Sequence, residues 1–361
     1  MSGRPLLDEA RLSHDVGTRL VSLIVPVTVT VLAVVWSVSC LSPIYVNNQA
    51  PPLSLVVDEN SAASVGEKFV YAVFGALFVV GSVVAVTFAI VALYHFHLQF
   101  LLYGWLAFSA VSMFFLLVWI WLDLFCTYFQ IPYNILSMGI FVWNFGVVGL
   151  ITLFYYSHPI VSQVYLVIAS TLIAWSLTAL PAWTTWALLI FIAAYDIIAV
   201  LWRQGPLHRL IKVAQERNEP IPGFIYDSAH SVAPILTPAE EDSARSPAAT
   251  AGHSTPQMIA VSWVTTAQHA APFKLGLGDF IFYSLLVARA SLSSFLSWSF
   301  SLVTILSGMV GTLLYLLLFR NSMRALPALP CSIFLSIVVF VLCRLLVESL
   351  STFVSQNLLL L

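Results

Sequence analysis

Nine runs of about 20 predominantly apolar residues leave this chain few ways to fold, because each is long enough to cross a ~30 Å hydrocarbon core as a helix rising ~1.5 Å per residue. The runs are expected at Leu20 to Leu41, Phe69 to Tyr94, Phe100 to Phe125, Ile135 to Tyr155, Ile160 to Ala179, Trp183 to Trp202, Leu275 to Leu292, Leu296 to Phe319 and Leu326 to Val347. Charge is correspondingly scarce. Only 8 % of the 361 residues are charged, where a soluble domain carries about 25 %. So few charges cannot cover a water-exposed surface, which excludes a soluble enzyme, a nucleic-acid binder and a disordered chain. The fold class is all-α: a polytopic membrane protein of nine transmembrane helices. The first run lacks a small-residue cleavage site and reads as a retained span rather than a signal peptide. Cys40, Cys126, Cys331 and Cys343 form no CxxC pair and read as small packing residues.

The few charges orient the bundle. With nine spans, one side holds Arg4, Arg11, Arg19, Arg203, Arg209, Lys212, Arg217, Arg245, Lys274, Arg320 and Arg324, eleven of the fourteen basic residues. The other side keeps Lys68, Arg289 and Arg344. The positive-inside rule then places the N-terminus in the cytosol and the C-terminus in the lumen or outside. The expected organisation is a cytosolic tail (1–19), six spans (20–202), a cytosolic loop (203–273) and three spans (274–361). The loop's middle, about 227–256, is proline-bearing, small and polar, and is expected to be disordered.

Acidic side chains inside a bilayer are costly and are kept for function. Two stand out: Asp196 in AAYDIIAV of the sixth span and Asp279 in KLGLGDFIFYS of the seventh. Asp196 precedes cytosolic Arg203 by seven residues, and Asp279 follows cytosolic Lys274 by five. Their depths are then about 10 Å and 8 Å from the cytosolic ends, so the two carboxyls lie near one level on consecutive spans. Asp123, Arg344 and Glu348 sit nearer span ends and can snorkel or pair locally.

Two close carboxyls in a low-dielectric site share one proton, and such a pair can hydrolyse a peptide bond: one carboxylate activates water while the protonated partner polarises the carbonyl. Paired acids also serve ion or proton sites in transporters, or bond neighbouring helices structurally. All eight histidines fall in loops or at span ends, and neither HExxH nor GxSxG occurs. Aspartate is therefore the only engine available for membrane proteolysis. Gly276 and Gly278 loosen the start of the seventh span, and Pro327-Ala328-Leu329-Pro330 is expected to give an extended or kinked start to the ninth. No cofactor or metal is expected.

Tyr195-Asp196, Gly276-Leu277-Gly278-Asp279 and Pro327-Ala328-Leu329-Pro330 resemble the three signature motifs of presenilin, the aspartyl protease subunit of γ-secretase, and of the related signal peptide peptidases. Trp143-Asn144-Phe145-Gly146-Val147-Val148-Gly149, Ala214-Gln215-Glu216-Arg217-Asn218-Glu219 and the longer KLGLGDFIFYS block are similar to presenilin itself, over about Val25 to Val347. The resemblance implies Asp196 and Asp279 as the catalytic pair. It implies that Tyr195, Gly276, Leu277, Gly278, Pro327, Ala328 and Leu329 shape the active site and engage substrate. It further implies single-span stubs of Notch-like and amyloid-precursor-like type I proteins as substrates. Nicastrin and two smaller multi-pass subunits are the implied partners, within the lipid bilayer and without nucleic acid. Endoplasmic reticulum and Golgi membranes are the implied location, with endosomes and the plasma membrane as further compartments. A cation leak channel or a protease-independent scaffold of the endoplasmic reticulum is the alternative use of the same aspartates.

The resemblance also implies that an extended substrate segment pairs as a strand with an ordered part of the chain, with the stretches near Gly223 to Tyr226 and before Lys274 as candidates. The sequence departs from the family pattern in three places. The cytosolic loop is short, the sixth span exits through WRQGPL where Cys-Pro is usual, and only Met258 to Val264 offers an apolar segment for autocleavage.

Overall fold

A computed structural model describes residues 17, 20–21, 23–41, 65–96, 98–154, 158–201, 225–227, 274–318 and 328–358. Contacts divide the chain into two units, Met1–Leu23 with Ile225–Leu275, and Ile24–Phe224 with Gly276–Leu361. In the first unit Ile225–Asp227 (β1) pairs with Lys274–Gly276 (β2) in a two-stranded sheet. β1 overlaps the stretch Gly223 to Tyr226 expected to pair with substrate, starting two residues later, whereas β2 starts at Lys274 and the stretch expected before it lies outside the described residues.

The second unit is helical. Its elements are α1 (Leu23–Leu41), α2 (Val65–His95), α3 (Gln99–Val111), a π-helical segment (Ser112–Leu117), α4 (Val118–Tyr128), α5 (Ile135–Phe154), α6 (Pro159–Leu177), α7 (Ala182–Leu201), α8 (Leu277–Ser291), α9 (Phe295–Leu318) and α10 (Ala328–Leu358). Among the described residues seven helices are long and apolar enough to span a bilayer, α3, the π segment and α4 counting as one. The protein is an integral multi-pass membrane protein. The apolar stretch of α7 is shorter, Ala182–Ile198, and α8 has 15 residues. α8 starts two residues later than expected because Leu275 is spent in β2.

Helix ends follow local chemistry. Pro159 opens α6 at its first turn, where its missing N–H costs nothing, and His158 caps it by accepting from the Ile160 N–H at 3.4 Å. α4 ends with the Ile131 N–H reaching back to the Cys126 carbonyl (2.9 Å), a closure that puts Gln130 at φ 52° in the left-handed region. Just beyond, the Tyr133 hydroxyl donates to Asp123, the local pairing expected of that acid. This bond holds the phenol above the usual tyrosine pKa.

The π segment interrupts a run expected to be plain helix. It carries no Gly or Pro, so tertiary packing decides it. The wider turn lets adjacent Phe114 and Phe115 both serve the α5–α6 side. Phe114 is buried edge-on to Phe145 and Tyr165, at 6.1 Å and 5.7 Å between centroids. Phe115 lies across Gly146, where an added Cβ would sit 2.7 Å from its ring. A Cβ on Gly149 would sit 2.9 Å from the Tyr165 ring. The two glycines of Trp143–Gly149 are thus the floors of two aromatic contacts.

At the middle of the bundle is α8. Tyr283, Leu285, Leu286, Val287, Ala288 and Ala290 have no solvent exposure, and α8 packs on α6, α7, α9 and α10. Ile281 and Ala288 join Val34 and Val38 of α1 and Ala174 and Trp175 of α6 in one cluster. Ala76 of α2 packs with Leu188 and Ile192 of α7. Large apolar side chains such as Phe74, Phe100, Trp143 and Phe334 face outward, as lipid contact requires.

Gly146→Ala and Gly149→Ala should each lower stability by about 1–3 kcal/mol through overpacking. Gly81→Ala on α2, where a Cβ meets nothing within 4 Å, should raise it by about 0.5–1 kcal/mol through helix propensity. Thermal unfolding of the purified protein in one detergent checks the opposite signs.

Candidate active site

Asp196 sits on α7, five residues before its C-terminal Leu201, half-buried. Asp279 occupies the first turn of α8, three residues after the N-cap Gly276. It is therefore a helix-start acid, in keeping with its place five residues after Lys274. At this position a carboxylate can reach back to the N-cap N–H, and the Asp279 carboxylate accepts a hydrogen bond from the Gly276 backbone. α7 and α8 pack together, and Asp196 acts electrostatically on Asp279. The two sequence-predicted acids thus lie half-buried on packed helices, within electrostatic reach of each other.

The glycines beside Asp279 face open space. Gly276 has ordinary extended geometry (φ −72°, ψ 148°). Added Cβ atoms at Gly276 and Gly278 would meet nothing nearer than 4.0 Å and 3.9 Å. Neither glycine is demanded by the backbone or by packing among the described residues. Leu277, between them, lines a groove of about 430 Å³ with Phe108, Met113, Leu117, Leu166 and Ile173. Tyr195 is half-buried beside Asp196.

Ala328, Leu329 and Pro330 form the first turn of α10, not an extended or kinked lead-in. Proline is tolerated there because first-turn N–H groups have no intrahelical acceptor. Leu329 and Pro330 are buried; Pro327 lies outside the described residues, as do the Ala214–Glu219 segment and the expected autocleavage segment. α10 is held against α7 by stacking of Phe340 on Trp186, 4.3 Å between centroids.

Sequence reasoning missed two polar residues near the pair. Tyr283, fully buried one turn after Asp279, is hydrogen-bonded to Ser332 of α10 and acts electrostatically on both aspartates' surroundings. The only signal was the four-residue spacing of Asp279 and Tyr283, which puts them on one helix face.

Residues 14–268 and 236–351 match the family model described as Presenilin. The chain belongs to the presenilin family. It is 36 % identical over 95 % of its length to Presenilin-B of Dictyostelium discoideum, of which it spans 65 %. It is 31 % identical to a presenilin-like protein of Arabidopsis thaliana, covering 95 % of this chain and 96 % of that one. Presenilin sel-12 of Caenorhabditis elegans is 29 % identical over 98 % of this chain and 92 % of its own. A solved structure of a presenilin family intramembrane aspartate protease aligns with a TM-score of 0.47 at 17 % identity, over 91 % of this presenilin and 97 % of that chain.

Proposed function

We propose that this presenilin is an intramembrane aspartyl endopeptidase with Asp196 and Asp279 as its catalytic pair. The observation that carries the reading is the juxtaposition of these two carboxyls inside a bundle of apolar helices. With one proton between them, the ionised carboxylate takes a proton from water as its oxygen bonds to the scissile carbonyl carbon. The protonated carboxyl gives its proton to the carbonyl oxygen. Collapse of the tetrahedral diol breaks the C–N bond, and a proton passes to the leaving nitrogen.

A helical substrate hides its scissile amide in backbone hydrogen bonds, and these must open within the membrane. Among the described residues the β1–β2 sheet has two strands and unpaired outer edges, and such an edge can take up an extended substrate segment as an added strand. Open space over Gly276 and Gly278 leaves room for a substrate backbone, and Leu277 shapes the adjoining wall. The family relationship supports the finer reading: nine spans with a cytosolic N-terminus and a loop over 203–273. It equally supports single-span type I stubs as substrates, nicastrin and two smaller multi-pass subunits as partners, and endoplasmic reticulum and Golgi membranes as the location.

The test is cleavage of a single-span substrate by the full chain reconstituted with those partners in vesicles. Asp196→Ala and Asp279→Ala should each lower the rate at least about 10³-fold, because one carboxyl cannot fill both roles. The wild-type rate should be bell-shaped in pH, since the doubly protonated and doubly ionised pairs are both inactive. Full cleavage by either variant sinks the pair. Ion flux lost in both variants, with no proteolysis in any, would instead mark a channel.

A second expectation follows from the open glycines. Gly276→Ala and Gly278→Ala should melt at or above the wild-type temperature and yet lower cleavage by about tenfold or more, since a methyl there obstructs the substrate alone. Parallel melting and cleavage assays on the same preparations separate these effects.

A further inference from the structure

We infer that Tyr283 is a positioning residue for the reaction, its hydrogen bond to Ser332 fixing the phenol beside the two aspartates and tying the start of α10 to the helix that carries Asp279. The inference rests on the reading of Asp196 and Asp279 as the catalytic pair.

Asp279 and Tyr283 are four residues apart and lie on one side of α8. Tyr283 interacts electrostatically with Asp279 and with Asp196, so the phenol oxygen belongs to the surroundings of both carboxyls. It has no solvent exposure. A buried phenol needs a polar partner, and it finds one across the helix interface in Ser332, which is equally buried.

Ser332 follows Pro330 by two residues and sits in the first turns of α10. Its approach depends on α9. A Cβ at Gly308 would lie 2.9 Å from the Ser332 hydroxyl oxygen and 3.0 Å from its Cα. A glycine at 308 therefore lets α10 come close enough to α9 to seat Ser332 where it meets Tyr283. Three helices converge on this one bond: Gly308 gives the space, Ser332 fills it, and Tyr283 carries the connection to the aspartate face.

The pairing is selective. Ser284 is the next residue on α8, equally buried, and its hydroxyl has no hydrogen-bond partner among the described residues. Several serines bond to their own helix, as Ser299 does to Phe295 and Ser307 to Thr304, while Ser336 of α10 reaches across to the Ser301 carbonyl of α9. Burial on α8 alone does not create a cross-helix bond, since Ser284 makes none where its neighbour Tyr283 does. A fixed dipole at that place keeps the carboxyls oriented without reorganisation during turnover, which is where preorganised polar groups contribute most.

The test measures kcat and KM for single-span substrate cleavage by the full chain with its partner subunits in vesicles. Tyr283→Phe and Ser332→Ala each remove one oxygen. Each should lower kcat about tenfold with KM within about twofold, and the double variant should fall no further than the worse single one, because both break one bond. Gly308→Ala, which pushes Ser332 away, should give the same kcat loss. Ser284→Ala should keep kcat within about twofold. Monodisperse elution on gel filtration confirms folding of each variant; if one side of the bond fails to fold, the other side reports the same interaction.

Wild-type kcat in both Tyr283→Phe and Ser332→Ala overturns the inference. So do effects that multiply in the double variant, or a loss shared equally by Ser284→Ala. Asp196→Asn and Asp279→Asn run beside them. Abolished cleavage in these two with normal Tyr283→Phe kinetics rejects the tyrosine role alone, whereas retained cleavage rejects the catalytic pair itself.

Discussion

A carboxyl placed at the start of a helix whose middle is fully buried constrains everything around it. α8 has only 15 residues and packs on α6, α7, α9 and α10, and its charges stand in its first and last turns, at Asp279 and Arg289, while the residues between are mostly buried. The Gly276 N–H donates to the Asp279 carboxylate, whereas Asp196 adds a like charge, and two such carboxyls hold one proton between them. A carboxylate in such a place is worth its desolvation cost only if it works as part of a pair or a network. That condition joins the fold to the chemistry: the helices packed on α8 are also those that hold the pair together.

Two packing devices steady the surroundings. On one flank, Gly146 and Gly149 of α5 receive the rings of Phe115 and Tyr165, and Tyr165 donates to the Phe145 carbonyl at 3.3 Å. These contacts lock α5, α6 and the π segment, and α6 is a direct neighbour of α8. On the other flank, α9 and α10 meet through small residues, Gly308 against Ser332 and the Ser336 hydroxyl donating to the Ser301 carbonyl at 3.4 Å. Without a hydrophobic force between helices in lipid, close approach of small residues and interhelical hydrogen bonds are what association uses.

The helical membrane class was legible from the apolar runs alone, because every apolar helix found lies within or across an expected run. Their ends were less so. α2 begins at Val65, four residues early, and α10 continues to Leu358 beyond the expected Val347, since hydropathy marks where lipid stops and not where a helix must. The π segment had no sequence sign, as its cause lies in Gly146 and the aromatics of α5 and α6. Asp196 and Asp279 stood out because acids are rare in apolar runs. The first residue of α8 did not, because Leu275 and Gly276 read equally well as helix or strand. The bond between Tyr283 and Ser332, 49 positions apart in the sequence, exists only once α8 and α10 have met.

The central claim is that Asp196 and Asp279 act together on a tetrahedral centre. It is tested most directly by binding of a peptide isostere that carries a hydroxyl at the position of the scissile carbonyl, measured on wild type and on Asp196→Asn and Asp279→Asn in the same vesicles. A tetrahedral mimic gains its affinity from the groups that stabilise the transition state. The account predicts that each substitution weakens binding by about 10²-fold or more. Equal affinity for all three proteins would contradict it.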